Sequence, residues 1–415
     1  MLRVFGLLML AILASAVPAR GDSFLDRPFG TPLPGPSDRT RAMGGVGCAL
    51  ADGAYSLVDN PAALILSPGS RLQLNASLAR VSENRFAPLF DTFGSFVAEE
   101  AVAVNDNVYS SLNGGIVVDR RAKEGLTVAI GIFDRYDPRY DYFDERRNTA
   151  LTDDILAERY IRTRGMVRTA SFGAAFPLWR AASVGGALNW YFGRVSDRDA
   201  LVPRSPTVAA GDTTLERQLS GASGTLGATV SVGERLALGL AFETAPTLHD
   251  DYVRTENGVI VSAPGAQNDL KLPWRLQGGA TYRPRNSFRT TFALDVIYMP
   301  WSNTDDPLQA ALDLRDTWDV RFGLEQIYYN VLPARVGFRY AQSYALQDAN
   351  RATFTFGAGS KVEHFRIDLA GEIGKRTSRQ APLMPRASQG TYYGAGQDRV
   401  DDTLVRMTLG AQIEF

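Results

Sequence analysis

Few side chains in this sequence have the types and spacing that catalysis requires. The 415 residues include two histidines, His249 and His364, and one cysteine, Cys48. His249 precedes two aspartates at a predicted loop edge, whereas His364 falls in a predicted turn at the opposite end of the molecule. The stretch SGASGT at 220–225 lacks the spacing of a nucleophile elbow. We therefore predict no enzymatic activity, no metal site and no cofactor, and a Ser–His or Asp–His hydrolase stays open as an alternative.

Charged residues recur at every second position of long segments whose alternate positions are apolar. Arg321 and Glu325 alternate with Val320, Phe322 and Leu324, which is the period of a β-strand with one apolar face. If that face contacts lipid, an Arg or Lys on it would cost about 2–4 kcal/mol, so the charges must point inward. They either form a self-neutralising ladder that braces the wall or contact a ligand. The residues expected to face a lumen are Lys271, Arg275, Arg289, Asp295, Arg321, Glu325, Arg366 and Glu372.

The strands that must position these charges are long for a soluble protein. Most candidates reach about 11 residues, as a tilted membrane-spanning strand requires, whereas globular strands average about 5–6. Tight turns alternate with long connections, which is typical of an outer-membrane barrel. We predict an all-β fold, an antiparallel transmembrane β-barrel of about 14 strands, rather than a soluble sandwich. The predicted strands are 70–81, 113–121, 126–137, 164–178, 181–195, 216–232, 235–249, 270–283, 288–303, 317–328, 333–343, 352–363, 365–377 and 402–415.

The N-terminal region has a different composition from the strands. Residues 1–21 combine Arg3, an apolar run and small residues, and they predict a signal peptide cleaved between Ala16 and Gly21. A leader and plug are predicted over 22–69, and the barrel over 70–415. Cys48 is expected to be a small buried residue of the plug. The formal net charge of -1 gives no electrostatic reason to expect a nucleic-acid partner.

The small-residue block Arg41 to Leu64 resembles the N-terminal plug of the FadL/TodX family of outer-membrane channels for hydrophobic compounds. The resemblance rests on a Gly-Gly pair and an Asn-Pro-Ala signature. A second similar region runs from Leu272-Pro273 to Trp301, and an alternating strand ends at Phe415, like the assembly signal of outer-membrane proteins. The residues expected to fold and anchor the plug, or hatch, are Arg41, Gly44, Gly45, Asn60, Pro61 and Ala62.

The resemblance implies a 14-stranded barrel with this hatch in its lumen and a lateral opening at a distorted third strand. That strand is the predicted segment 126–137. Gly131 is the residue best able to permit a kink, and Pro138 would end the ladder just beyond it. Alternatively, Gly131 only leaves lumenal room for the plug.

The function that follows from the resemblance is passive uptake of long-chain fatty acids or hydrocarbons across the bacterial outer membrane. The alternative is a plugged barrel that serves as scaffold or carrier for a secretion or surface partner. Expected partners are lipophilic small molecules, outer-membrane lipid, lipopolysaccharide, and the barrel assembly machinery through the C-terminal strand. We expect a monomer. The acidic and aromatic loop predicted at 136–154 either binds divalent ions or lipopolysaccharide or is a plain solvated loop.

Overall fold

The computed structural model describes residues 23–91, 93–120, 125–147, 155–206, 208–286, 289–309, 312–329, 331–384 and 396–415. The predicted signal peptide lies outside these residues and stays a prediction. None of the helices in this part of the chain is long and apolar enough to span a membrane.

An inner segment, residues 23–69, precedes the sheet and is built from short elements. Its 3-10 helices are Phe24–Asp26, Gly53–Tyr55 and Pro61–Leu66, its α-helices are α1 (Asp38–Arg41) and α2 (Ser56–Asp59), and its strand is β1 (Thr31–Pro32). Ser37 and Asn60 cap two of these helices by accepting backbone N–H groups.

The remaining elements are strands, apart from a 3-10 turn at Trp301–Asn303. They are β2 (Arg71–Phe90), β3 (Phe96–Asp119), β4 (Thr127–Asp137), β5 (Tyr140–Arg147), β6 (Ile155–Trp179), β7 (Ala182–Pro203), β8 (Gly211–Val232), β9 (Leu236–Glu243), β10 (Thr247–Glu256), β11 (Val259–Ile260), β12 (Gln267–Lys271), β13 (Arg275–Tyr282), β14 (Thr291–Met299), β15 (Thr317–Tyr328), β16 (Leu332–Ala341), β17 (Arg351–Val362), β18 (Phe365–Gln380) and β19 (Asp398–Glu414).

The described strands close into a 14-stranded antiparallel barrel. The wall runs β2, β3, β4, β6, β7, β8, β9, β13 and then β14 to β19 in sequence, and β19 pairs with β2 from Arg399↔Phe86 to Glu414↔Arg71. Strand β5 continues β4, while β10 and β12 continue β9 and β13 above the wall. Closure leaves no free edge at membrane level, which is the condition for a sheet to cross lipid. The prediction of an antiparallel barrel of about 14 strands is confirmed.

The two faces of the wall have opposite chemistry. Outward side chains such as Phe172, Leu188, Leu226 and Phe354 are apolar and expose between 53% and 71% of their surface. Inward side chains at alternate positions are buried, and most of them are polar. An apolar belt around a closed barrel is the architecture of bacterial outer-membrane proteins, so the chain is a protein of that membrane.

Several strands extend beyond the predicted limits on the side of the long connections. The residues 82–112, expected to form a loop, are largely the ladder between β2 and β3. The predicted loop 136–154 is partly strand, with Tyr140 and Tyr142 buried, and its residues 148–154 lie outside the described part. Above the lipid, both faces of a strand meet water or polar groups. The apolar period therefore fades although the strand continues.

Two of the charges expected in the lumen are not there. Lys271 is exposed, whereas Leu270 and Leu272 on either side of it are buried. The chain leaves the sheet at 272–274 before β13 begins, and this interruption reverses which positions point inward. Arg289 is exposed in the turn before β14, with φ at 44°, because the strand begins at Thr291 and not at 288.

Candidate functional site

The inner segment lies inside the barrel, where it contacts strands around the circumference. At one side, Gly44 and Gly45 have positive φ angles of 73° and 87°. A Cβ on Gly44 would lie 2.6 Å from the carbonyl oxygens of Phe322 and Phe338, so only glycine allows this close approach. The Gly44 N–H donates to Thr355 Oγ1 at 2.8 Å.

The Asn-Pro-Ala sequence contacts the opposite side of the wall. Asn60 Nδ2 donates to the Cys48 carbonyl at 2.7 Å and to the Ala228 carbonyl at 3.1 Å. Ser183 Oγ donates to the Ala62 carbonyl at 3.1 Å. A Cβ on Gly185 would lie 2.6 Å from the Pro61 carbonyl carbon. This part of the inner segment therefore packs against small residues of the wall.

An inward carboxylate of β14 binds two backbone amides of the inner segment. Asp295 Oδ2 accepts hydrogen bonds from the N–H groups of Gly47 at 2.7 Å and Cys48 at 2.9 Å. Gln277 on the neighbouring strand donates to the same oxygen at 3.0 Å. Asp295 was singled out as a lumen-facing charge, but its backbone partners could not be identified from spacing.

A buried ion-pair chain joins the inner segment to three strands. Arg39 donates two hydrogen bonds to Glu325, at 3.0 and 2.5 Å. Glu325 also accepts from Arg335 at 2.6 Å, and Arg335 donates to Asp368 at 2.5 Å. Arg366 completes the chain at 2.5 Å from Asp368. These charges both brace the wall and hold the inner segment.

A second ion pair involves Arg41. Its Nη1 lies 3.5 Å from Glu372, which also pairs with Arg406 at 3.1 Å. Burial lowers the pKa of Arg41 to about 10, and the negative charge of Glu372 opposes that shift. Because Arg41 and Glu372 are both almost fully buried, loss of either partner would leave an uncompensated charge inside the barrel.

A third ion pair was not predicted from the sequence. Asp26 of the inner segment lies 3.0 Å from Arg376, which lies 2.9 Å from Asp402. Ser23 also donates to Asp402, at 3.0 Å. Arg376 shares the inward period of Arg366 and Glu372 within the predicted strand 365–377, so that period indicated an inward side chain, but its partner Asp26 could not be identified from spacing.

Burial is the largest influence on the pKa of two carboxyl groups of the inner segment, Asp38 and Asp52. Burial, together with the charge of Asp368, raises the pKa of Asp38 to about 7. Burial raises the pKa of Asp52 to about 7 as well. Both groups are therefore easier to protonate in the folded protein than in the unfolded chain.

The lumen contains an apolar aromatic cluster, to which the inner segment contributes Phe29. Phe29 of the inner segment lies 6.1 Å from Trp301 and 6.2 Å from Tyr344, measured between ring centroids. Trp301 stacks on Tyr344 at 4.1 Å, and Tyr136 of β4 meets Trp301 edge-on at 6.2 Å. Aliphatic side chains surround this group, namely Val167, Leu219, Leu248, Leu270, Leu272, Ile297 and Met299. An apolar molecule could therefore bind by packing against the side chains of the aromatic cluster.

A small cavity adjoins the aromatic cluster and is rich in arginine. Arg321 and Arg339 share one carboxylate, Asp319, at 2.8 Å each. Arg135 and Arg275 likewise share Glu243, at 2.7 and 3.5 Å. The cavity measures about 90 Å³, well below the roughly 300–1,000 Å³ of typical ligand pockets. It is therefore closed to a ligand unless the inner segment moves.

A wider vestibule of about 590 Å³ lies toward the side of the long connections. Its lining combines the side chains of Leu201, Leu215 and Met384 with charged groups that include Arg27 and Asp197. Arg27 and Asp197 approach within 3.5 Å, so the inner segment forms part of the wall of this vestibule.

The barrel wall has a seam between β3 and the upper half of β4. Their ladder ends at Gly114↔Ile132, and β4 then bulges at Arg135. Five successive residues, 133–137, are buried, so this stretch turns into the lumen. There β1 pairs with it, through Thr31↔Asp137 and Pro32↔Tyr136. Strand β4 has thus left β3 and pairs with the inner segment, while its ladder with β6 continues to Tyr136↔Val167.

Side chains take the place of the missing backbone ladder at the seam. Asn113 Oδ1 accepts from the Asp134 N–H at 2.7 Å, and Arg139 donates to the Ser110 carbonyl at 2.9 Å. Farther up, Asn107 donates to the Asp141 carbonyl at 3.0 Å. These bonds can open without breaking the sheet on either side.

Gly131 and Pro138 flank this seam rather than form it. Gly131 still pairs regularly with Gly115 and Ser171. A Cβ there would lie 2.9 Å from Phe133 Cε1, so the glycine makes room for the Phe133 ring, which packs on Tyr55 of the inner segment at 6.0 Å. Pro138 separates β4 from β5.

The two histidines occupy separate parts of the molecule. His249 is on β10, exposed, with Nδ1 3.3 Å from Asp269 Oδ1. His364 lies in the short turn between β17 and β18. No group of three or more His, Cys, Asp or Glu side chains in the described residues is arranged to hold a metal ion.

Known structures share this architecture at low sequence identity. A FadL homologue of Pseudomonas aeruginosa superposes with a TM-score of 0.64 and 14% identity, covering 93% of this chain and 100% of the other. The Pseudomonas putida toluene transporter TodX gives 0.62 and 16%, with coverage of 94% and 99%. The Ralstonia pickettii toluene transporter TbuX gives 0.60 and 18%, with coverage of 92% and 98%.

Comparison of the sequence itself gives no match. No protein-family model matches the chain, and no curated protein is significantly similar in sequence. The chain therefore has the fold of the FadL/TodX-type channels over nearly its whole length, as the sequence resemblance led us to expect.

Proposed function

We propose that this protein is a passive channel that takes hydrophobic small molecules across the outer membrane. The observation that carries the proposal is the aromatic cluster around Phe29, an apolar layer of the lumen beside the arginine-rich cavity. A pore for water-soluble solutes gains nothing from such a layer, because polar solutes would have to shed water to pass it. The structural neighbours support the same proposal, since they include two toluene transporters and a FadL homologue.

The inner segment acts as the plug of this channel. It supplies Phe29 to the aromatic cluster and is held by the ion pairs of Arg39, Arg41 and Asp26. Because the arginine-rich cavity below the cluster holds only about 90 Å³, passage requires the inner segment to shift. The vestibule is where ligand first collects, and displacement of Phe29 opens the way from there.

The substrate we favour is an amphipathic acid, such as a long-chain fatty acid, over a neutral hydrocarbon. Two arginine pairs next to the aromatic cluster each share a single carboxylate. Each pair therefore has donor groups to spare for a ligand carboxylate. An apolar chain in the aromatic cluster and a carboxylate among these arginines would fit one molecule.

The exit is lateral, through the seam between β3 and β4. Tyr136 belongs both to the aromatic cluster and to the stretch of β4 that leaves the wall, so the cluster and the seam are continuous. Opening of the seam breaks a few side-chain hydrogen bonds, each worth roughly 1 kcal/mol, and leaves the remaining ladders intact.

We also propose that the protein is not an enzyme. The supporting geometry is the separation of His249 and His364 and the exposure of the His249–Asp269 pair. Substitution of both histidines should leave uptake unchanged. A loss of uptake in that double variant would contradict this part of the proposal.

Uptake by cells tests the proposed function. A strain lacking the gene should take up a labelled long-chain fatty acid several-fold more slowly than the complemented strain, while uptake of a small sugar stays equal. Equal rates for every member of a broad lipophilic panel would overturn the proposal. A stable surface protein recovered with the barrel in that case would favour the scaffold function instead.

A further inference from the structure

Three arginines form an outward-facing basic patch on β6 and β7. In the register of these strands, Arg194 stands opposite Met166, and Arg168 opposite Phe192. Arg164 and Arg168 are thus the two diagonal neighbours of Arg194, within about 7–8 Å on one face. All three are exposed, and an open groove of about 780 Å³ runs between them.

The patch lies at the outer boundary of the apolar belt. Trp179 marks the end of β6 at a short turn, and Arg168 comes eleven residues before it. At about 3.3 Å per residue and a tilt near 40°, that separation is about 28 Å along the membrane normal. The apolar band of such barrels is about 25 Å tall. Phe172 and Trp190, on the same face just below the patch, expose 56% and 58% of their surface to the lipid.

The charges of the patch are only partly compensated. Arg168 pairs with the buried Asp134 at 2.7 Å, and Arg194 donates to the neutral Gln218 at 3.2 Å. Glu216, the nearest carboxylate on the adjacent β8, faces Ser196 and is a diagonal neighbour of Arg194, beyond ion-pair distance. Within the described part of the chain, no carboxylate lies at ion-pair distance from Arg164 or Arg194.

We propose that this patch binds the phosphate of an outer-leaflet glycolipid, the lipid A portion of lipopolysaccharide. Guanidinium groups recognise phosphate oxygens through paired N–H donors. Phe192, half-buried opposite Arg168, would contact the sugar and the first acyl carbons. Because the apolar belt begins directly below, the acyl chains of the same lipid would lie on Phe172 and Trp190. A soluble anion would use only the arginines.

Lipid binding to purified protein tests the proposal. The delipidated barrel in detergent is titrated with bis-phosphorylated lipid A and, separately, with the same lipid after both phosphates are removed, and bound lipid is counted by native mass spectrometry. The R164Q/R194Q variant removes two exposed charges and keeps the Arg168–Asp134 pair. Its matched control is K375Q/R379Q, on β18 across the barrel, where Asp401 faces the residue between the two cations.

The wild-type protein and the control should bind lipid A about tenfold more tightly than R164Q/R194Q, which corresponds to about 1.4 kcal/mol. The dephosphorylated lipid should bind all three proteins equally weakly. Equal binding of lipid A by wild type and R164Q/R194Q would overturn the proposal. So would displacement of lipid A by millimolar inorganic phosphate, since the site would then be one for free anions. If R164Q/R194Q fails to assemble, R194Q alone replaces it with the same criteria.

Discussion

Arg39 of the inner segment and Glu325 of the barrel wall are joined by two hydrogen bonds, at 3.0 and 2.5 Å, across 286 residues of sequence. Glu325 is also held by Arg335. The inner segment is thus attached to the Glu325 carboxylate, which Arg335 of the wall already holds in position. The bond to Arg39 can therefore break while the barrel stays folded.

Arg39→Met should loosen the inner segment while the barrel stays folded. Loss of one partner of a largely buried ion pair costs about 3 kcal/mol, which corresponds to roughly 100-fold faster opening of the inner segment. Hydrogen exchange of amides 37–50 measures this directly. The control, Arg80→Gln, breaks an exposed pair with Asp106 and should cost less than about 1 kcal/mol. Unchanged exchange in Arg39→Met would show that the pair does not hold the segment.

Gly227→Ala should displace the Asn-Pro-Ala sequence from the wall. A Cβ on Gly227 would collide with the side chain of Asn60, whereas one on Gly224 of the same strand meets no atom within 4 Å. Single-channel current in planar bilayers should therefore rise in Gly227→Ala and stay at the wild-type level in Gly224→Ala. Equal currents in the two variants would contradict the close packing of Asn60.

Arg339→Gln should change substrate preference and leave folding intact, because Arg321 still pairs with Asp319. If an arginine of the cavity receives the ligand carboxylate, uptake of a fatty acid should fall about tenfold, since a charge-assisted hydrogen bond is worth about 1.5–3 kcal/mol. Uptake of a neutral monoaromatic hydrocarbon should be unaffected. A parallel fall for both ligands would mean that Arg339 does not select for charge.

Asp52→Asn should stabilise the inner segment at pH 8 and make little difference below pH 4. The folded-state pKa of Asp52 is raised from 3.8 to about 7. As the pH falls from about 7 to 4, the folded wild-type protein therefore binds a proton at Asp52 while the unfolded chain does not. Wild-type stability therefore increases over that interval, and at pH 8 the buried charge destabilises by roughly 4 kcal/mol. Protease sensitivity of the inner segment, measured between pH 4 and 8, checks this. Asp38 still titrates in the variant, so its profile should be shallower than that of wild type but not flat. A wild-type profile no steeper than that of Asp52→Asn would refute the prediction.

The fold was largely predictable because lipid imposes a strict rule on the wall. Each outward position such as Val320 or Phe322 must be apolar. Apolar residues therefore recur at every second position of the sequence wherever a strand crosses the membrane. Above the membrane that rule ends, and the upper parts of β2, β3, β6 and β7 were missed. Lys271 was misplaced because the interruption at 272–274 reverses the period, which strand spacing alone does not reveal.

The candidate site was less predictable, since it consists of pairings between distant residues. Sequence spacing indicated that Asp295 and Glu325 point inward, but their partners Gly47 and Arg39 lie on a segment without periodic structure. The Arg376–Asp26 pair and the aromatic cluster of Phe29, Trp301 and Tyr344 depend on how that segment folds inside the barrel. Tertiary packing decides these contacts, and no local pattern encodes them.

The central claim, passage of a hydrophobic ligand through the barrel and out at the seam, is tested most directly in liposomes. Asn107→Cys and Asp141→Cys, whose side chain and backbone already meet across the seam at 3.0 Å, can be joined by a short cleavable thiol cross-linker, since the natural Cys48 is buried. Before cross-linking, the variant should speed fatty-acid entry several-fold over empty liposomes. Cross-linking should abolish that gain, and reduction should restore it. Entry that is equally fast with the seam locked, or no faster than in empty liposomes, would contradict the account.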